Sequence, residues 1–184
     1  QYAPRIAAVG GGFVATWVSR GQDGSGDGIY ARRYDAAGNA LGDEFRVNEA
    51  SSSEQRSSDI AATGDGGFVI TWRNYGGDEV YAQKFDATGA RVDGQIEISS
   101  AATYSDDAPV VVGLAGNAFA IAWQGYYDNN SNGIFQRVVG EPQTFAHSAA
   151  PQIVDLASSV SFQENALNAA PQLIDAGIGL LDVD

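Results

Sequence analysis

Two short stretches have the residue types and spacing of a cation site. Asp23-Gly24-Ser25-Gly26-Asp27-Gly28-Ile29 and Asp128-Asn129-Asn130-Ser131-Asn132-Gly133-Ile134 each place oxygen-bearing side chains at positions 1, 3 and 5, then a glycine, then an apolar residue. Hard oxygen donors brought together from alternate positions of a tight turn are how a calcium loop opens. Asp23, Ser25 and Asp27, and Asp128, Asn130 and Asn132, are therefore the candidate ligands, and Ca2+ the candidate ion. Position 12 of the two stretches holds Tyr34 and Val139, where a helix-flanked EF-hand needs an acid, so that motif is excluded. The same residue types are good turn formers without any ion. A shorter counterpart, Tyr75-Gly76-Gly77-Asp78, is expected to bind nothing.

Residues for catalysis are sparse. His147 is the only histidine and lies in a stretch of Pro and small residues; there is no cysteine. A Ser-His-Asp triad, a multi-histidine metal centre and a thiol nucleophile are thereby excluded from the bulk of the chain. Paired carboxylates could serve a glycosidase, but Asp106-Asp107 and Asp182 with Asp184 fall in turns or at the end of the sequence, where acids are ordinarily solvated. Arg5, Arg32, Arg33 and Arg137 could form a sialidase-like carboxylate clamp, yet their places on strands suit surface cations. No Gly-rich phosphate loop is present. The expectation is a protein that is not an enzyme.

The elements that position these residues come from a unit of just over fifty residues used three times. Gly11-Gly12-Phe13-Val14-Ala15-Thr16-Trp17 returns as Gly66-Gly67-Phe68-Val69-Ile70-Thr71-Trp72 and, more worn, as Asn117-Ala118-Phe119-Ala120-Ile121-Ala122-Trp123. Ile29-Tyr30-Ala31-Arg32-Arg33-Tyr34-Asp35 returns as Val80-Tyr81-Ala82-Gln83-Lys84-Phe85-Asp86 and Ile134-Phe135-Gln136-Arg137-Val138. Alternation over five to seven positions, rich in β-branched and aromatic types, predicts strands, four per copy. In the first copy they are 5–9, 13–18, 29–34 and 44–48, and the fourth of the second copy is Gln95–Ser99. Copies at about 1–54, 55–106 and 107–140 read as the four-stranded blades of an all-β, β-propeller-like fold, with a plain β-sandwich as the other arrangement. The repeated Trp17, Trp72 and Trp123 suit either a ligand-stacking platform or packing between sheets, and one fixed position in every copy favours packing. Asp35-Ala36-Ala37-Gly38-Asn39 and Asp86-Ala87-Thr88-Gly89-Ala90 read as side-chain-closed hairpin turns.

A formal charge of −13, from 10 Lys and Arg against 23 Asp and Glu, disfavours nucleic acid and anionic membranes as partners. No apolar run reaches the roughly 20 residues of a membrane span. Beyond Gly140 the repeat gives way to a Pro-containing linker, 141–159, and then to 160–184, a C-terminal extended segment that either packs on the blades or begins another module.

The Gly-Gly-Phe-Val-x-x-Trp, Asp-Gly-Ser-Gly-x-Gly-Ile-Tyr-Ala and Glu-Phe-x-Val-Asn stretches of residues 1–140 resemble repeats of very large secreted bacterial proteins of the RTX adhesin and haemolysin-type calcium-binding class. Phe162-Gln163-Glu164-Asn165-Ala166 and Leu181-Asp182-Val183-Asp184 are similar to the start of a cadherin-like module. Tandem Gly-Gly-x-Gly-x-Asp nonapeptides are missing, so the RTX β-roll itself is absent. The resemblance implies an extracellular structural or adhesive segment, stiffened by calcium and read as a piece of a longer chain. Its partners would be other segments of the same protein, or further copies of itself, since three blades leave edges open. The alternative is a glycan-binding propeller that takes cell-surface glycans on loop faces near Tyr75, Tyr126 and Tyr127; a glycoside hydrolase-related fragment is a third reading.

Overall fold

Gly-Gly-Phe and Asp-Ala-x-Gly turns cut the chain into short runs rich in β-branched and aromatic residues, and these runs form strands. The computed structural model describes residues 1–24, 26–49, 53–99, 104–126 and 132–140. They belong to the first of two compact units, Gln1–Thr144; the second, Phe145–Asp184, lies outside the described residues, as do the expected linker, the 160–184 segment and His147.

Among the described residues there are eleven strands and no helix. The first sheet is β1 (Tyr2–Val9), β2 (Gly12–Arg20), β3 (Asp27–Tyr34) and β4 (Phe45–Arg46). A second is β5 (Gln55–Ala62), β6 (Phe68–Asn74), β7 (Glu79–Phe85) and β8 (Arg91–Glu97). The third holds β9 (Tyr104–Gly113), β10 (Phe119–Tyr126) and β11 (Asn132–Val139), three described strands where four were expected. Every neighbouring pair is antiparallel and consecutive in sequence, so each sheet is a meander.

The sheets pack face on face in chain order, with the first strands β1, β5 and β9 of the three meanders in mutual succession. Period-two alternation decides which side chain faces which neighbour. Val14, Val18, Ile29, Ala31 and Val47 of the first sheet meet Ile60, Phe68, Ile70, Trp72 and Phe85 of the second. From the opposite face of the second sheet, Val69, Val80, Ala82 and Ile98 meet Phe119, Ile121 and Trp123 of the third. Trp72 and Trp123 therefore both face the preceding sheet, and each stacks with the aromatic residue beside it, on Tyr81 at 6.1 Å and on Phe135 at 5.9 Å between ring centroids. The packing reading of these tryptophans holds in the second and third copies.

Polar groups at the turns are satisfied in the same way from copy to copy. Asp35 accepts from the backbone N–H groups of Ala37 and Asn39 at 2.9 and 2.8 Å, and Asp86 from those of Thr88 and Ala90 at 2.8 and 2.9 Å. Gly38 and Gly89, at φ of 85° and 84°, complete the bend in the left-handed region that a side chain would strain. The hairpins expected there are present, each closed by its own aspartate side chain.

The fourth strands differ from expectation. β4 is two residues long rather than five, and β8 runs from Arg91 and ends at Glu97, two residues before the expected Ser99. At the C-terminal ends a side chain takes over the ladder. Beyond the bond from Val47 N–H to the Ile29 carbonyl, Asn48 Oδ1 accepts from Ile29 N–H at 2.9 Å; beyond that from Ile98 N–H to Val80, Ser99 Oγ accepts from Val80 N–H at 2.9 Å.

The middle sheet is thus the core of the described residues. Ile70→Ala, at a fully buried site facing the first sheet, is expected to lower unfolding free energy by about 2–5 kcal/mol, whereas Leu41→Ala, at a half-exposed turn site, should cost about 0.5 kcal/mol. Urea unfolding of the two variants beside the wild type measures the contrast.

Candidate functional site

Each meander begins with an irregular first strand. Its register shifts between Tyr2 and Arg5, between Arg56 and Asp59, and opposite Ala122 and Gln124 in the third sheet. At each irregularity one non-glycine residue takes a left-handed backbone: Ala3 at φ 52°, Ser57 at 55° and Ala108 at 47°. Such a conformation costs about 1 kcal/mol or more per residue. A bulge re-aims the side chain beside it. The residues just before the three irregularities are Tyr2, Arg56 and Asp107, and all three point into one cluster of charge that spans the sheets.

Asp27, at the start of β3, is the centre of that cluster, with its side chain only 1% exposed. Its carboxylate accepts from the Tyr2 hydroxyl at 2.6 Å, from Arg20 Nε at 3.1 Å and from Arg56 Nε at 2.6 Å. Arg56 also pairs with Glu54 at 2.7 Å. Tyr75 lies beneath two guanidinium groups of the second sheet, 4.0 Å from Arg73 and 5.4 Å from Arg56. Arg73 in turn pairs with Asp78 at 2.6 Å and with Asp107 of the third sheet at 3.3 Å. Asp27 to Arg56 joins the first sheet to the second, and Arg73 to Asp107 joins the second to the third.

The electrostatics follow from these contacts. Burial alone would raise the Asp27 pKa, but the hydrogen bonds from Tyr2, Arg20 and Arg56 outweigh it and bring it down from 3.8 to about 2. Asp27 is therefore ionised at every pH near neutrality and has no proton to give as a general acid. Burial and the bond to Asp27 push the Tyr2 phenol up.

The candidate calcium ligands are distributed as follows. Asp27 is engaged with two arginines and a tyrosine. The carboxylate of Asp23 lies over Gly28, close enough that a Cβ there would meet its Oδ2 at 3.1 Å and Asn48 Oδ1 at 3.6 Å. Ser25, Asp128 and Asn130 lie outside the described residues, as does the side chain of Asn132, the first residue of β11. Among the described residues no group of three His, Asp or Glu side chains forms a metal cluster.

The arginines considered as a clamp do not converge. Arg5 is 3.9 Å from Asp59, Arg32 donates to the Gly42 carbonyl at 2.9 Å and Arg33 to the Thr88 carbonyl. Arg137 donates to the carbonyls of Glu97 and Ile98 at 2.9 and 3.0 Å, tying the third sheet to the end of β8. Of the acid pairs, Asp107 is bound to Arg73, while Asp182 and Asp184 lie outside the described residues, as does the side chain of Asp106. Of the three tyrosines considered for glycan stacking, Tyr75 has its ring occupied by guanidinium groups, and the side chains of Tyr126 and Tyr127 lie outside the described residues.

One concavity carries aromatic and charged groups together. A cleft of about 440 Å³ on the outer face of the first sheet is lined by Tyr2, Ala15, Trp17, Arg32, Tyr34 and Glu44, with Gln1 and Pro4 at its rim. The charge cluster escaped sequence reasoning because its members are not one motif. The available signal was positional: Tyr2, Arg56 and Asp107 share one place in the repeat, as do Asp27 and Asp78, and polar residues of differing type at one repeated position point to cross-sheet pairing.

No family model matches the chain, and no curated protein matches it. Among solved structures it is similar in fold to a "Hadza microbial sialidase Hz136", with a TM-score of 0.58 at 9% identity over 76% of this chain and 35% of that one. A second, an endo-arabinase from Bacteroides thetaiotaomicron VPI-5482, gives a TM-score of 0.40 at 14% identity over 70% of this chain and 51% of that one. The chain thus spans about a third of the sialidase and about half of the endo-arabinase. The sialidase likeness extends to fold alone and agrees with the all-β, antiparallel architecture.

Because the folded state holds Asp27 below its ordinary pKa, the carboxylate stabilises the fold in full above pH about 5, and that stability is lost as pH falls towards 2. The gap in unfolding free energy between wild type and Asp27→Asn is expected to narrow by about 2 kcal/mol over that window. Urea titrations from pH 7 to pH 2 measure it, and a gap independent of pH would remove the ionised carboxylate from this role.

Proposed function

We propose that the chain is a structural segment of a β-propeller within a large extracellular bacterial protein of adhesive type, and that it is not an enzyme. The carrying observation is the charge cluster at the ends of β1, β5 and β9. Its carboxylates and guanidinium groups are bound to one another across sheet boundaries, an arrangement suited to holding sheets together. Support for blades comes from the three successive meanders with their tryptophans at one position, and from the fold likeness to the sialidase. Support for an extracellular adhesive setting comes from the resemblance of residues 1–140 to secreted RTX-type repeats.

The folded chain, assayed with sialosides, arabinans and other glycosides, is expected to give no turnover above the buffer rate. Saturable turnover that is lost in both Asp27→Asn and Asp107→Asn would overturn the structural reading.

In this reading the loop from 21 to 28 is stiffened chiefly by the pairing of Asp27 with Arg20 and Arg56, and calcium at Asp23 and Ser25 is a secondary contribution. Thermal unfolding with millimolar calcium and then with excess chelator, at fixed ionic strength, is expected to differ by less than about 0.5 kcal/mol in stability, where saturating a site at one hundred times its dissociation constant would give about 2.7 kcal/mol. A larger shift that Asp23→Asn abolishes would return the loop to calcium.

The glycan-binding alternative is favoured by the cleft at Trp17, whose indole, with the rings of Tyr2 and Tyr34 beside Arg32 and Glu44, has the composition of a sugar platform. Quenching or enhancement of tryptophan fluorescence by glycans, absent in Tyr34→Ala, would support that use.

A further inference from the structure

We propose that the outer faces of the first and third sheets are the two halves of one junction, and that a second copy of this chain docks there head to tail, so that two chains close a ring. The proposal rests on the reading of the sheets as blades.

The junction is already present twice within the chain. In both cases the upstream sheet contributes small and β-branched residues and the downstream sheet contributes its tryptophan, a phenylalanine and a branched residue of its first strand. The third sheet carries the upstream half with nothing among the described residues against it. Ile134 occupies the place of Ile29 and Val80; those two are 0% exposed, whereas Ile134 is 77% exposed. Val110, Val112 and Val138 stand beside it, each more than half exposed, around a shallow depression of about 290 Å³ floored by Ala120 and Ala122.

The first sheet carries the other half. Trp17 occupies the place of Trp72 and Trp123, and Ile6 that of Ile60, since Ile6 pairs with Ala15 as Ile60 pairs with Ile70. Ile60 is 6% exposed against the first sheet, and Ile6 is 65% exposed. The stacked pair Phe13 and Tyr34 repeats the stacked pair Phe68 and Phe85, both at 4.9 Å, so this face is already shaped as the packed one is. Arg32 stands where Arg137 stands in the third sheet, and Arg137 is the residue that ties its sheet to the preceding one.

Among the described residues the two open faces differ, and only a face of one kind set against a face of the other kind reproduces the internal junction. That makes the contact heterologous, and such contacts give rings when the rotation closes. Two copies of the three described sheets fall within the roughly four to eight sheets at which propellers close. A net charge of −13 on each copy opposes the approach, so association strengthens as salt screens it.

Sedimentation or light scattering of the chain over a concentration series is expected to show a species of twice 19.2 kDa that is favoured by higher salt. Ile6→Lys and Ile134→Lys change the most exposed large apolar residue of each face, which burial does not tie to the fold, and circular dichroism and thermal midpoints verify that both stay folded. Each variant alone is expected to be monomeric. Their equimolar mixture is expected to regain a dimer, weaker than the wild type, because each supplies the face the other lacks. A folded wild-type monomer throughout the series overturns the pairing and leaves the scaffold reading standing. A dimer that survives either substitution, a mixture that stays monomeric, or growth into open polymers overturns the head-to-tail ring.

Discussion

The middle sheet has to be buried on both faces, and the rest of the structure depends on that constraint. Within β6, Phe68, Ile70 and Trp72 point one way and Val69, Thr71 and Arg73 the other, and all six are buried. A strand in this situation cannot show the alternation of apolar and polar residues of a half-solvated sheet. Its polar side chains therefore need partners inside the stack. Thr71 Oγ1 donates to the Tyr81 carbonyl at 2.8 Å, as Thr16 does to Tyr30 in the first sheet at 2.9 Å, and Trp72 Nε1 donates to Gln55 at 2.9 Å. Arg73, on the face towards the third sheet, is drawn into the charge cluster by the same requirement.

Apolar burial between flat, repeating faces is tolerant of sliding. Polar ties set the register of one sheet upon the next. At one end of the stack the ties are side-chain ion pairs, Asp27 with Arg56 and Arg73 with Asp107. Near the last strands they are guanidinium groups on backbone carbonyls: Arg91 donates to Arg46 and Val47 at 3.0 and 2.7 Å, as Arg137 does to Glu97 and Ile98. Arg91 reaches its carbonyls from β8 and Arg137 from β11, so the same two acceptors are served from different strands. Function is conserved across the junctions here even though the donor position is not.

The repeat, the strands and the Asp-Gly hairpins were legible in the sequence because each is local: alternation, aromatic content and a turn side chain two to four residues from its backbone partner. The end of the fourth strand was less so, since Asn48 and Ser99 stop the ladder by substituting a side chain for a carbonyl, and nothing in their own neighbourhood marks that. The charge cluster was the least legible. Asp27 sits in a stretch with the spacing of a cation loop, and only the fold reveals Arg56, 29 residues away in sequence, against its carboxylate. A carboxylate in a loop invites whichever cation is nearest, and sequence spacing alone cannot distinguish a metal ion from a guanidinium brought in by another sheet.

The left-handed residues Ala3, Ser57 and Ala108 interrupt β1, β5 and β9, and each of these strands is the edge of its meander. A chain built from near-identical copies runs a particular hazard, because any unpaired edge is a template for the corresponding strand of every other copy, in the same molecule or the next. An edge that is kinked at one residue in every repeat presents no long run of backbone donors and acceptors in register. The conformational strain accepted at those three alanine and serine positions thus has a second outcome, unrelated to the side chains it aims: it protects a repetitive sequence against mispairing and aggregation while the copies fold beside one another.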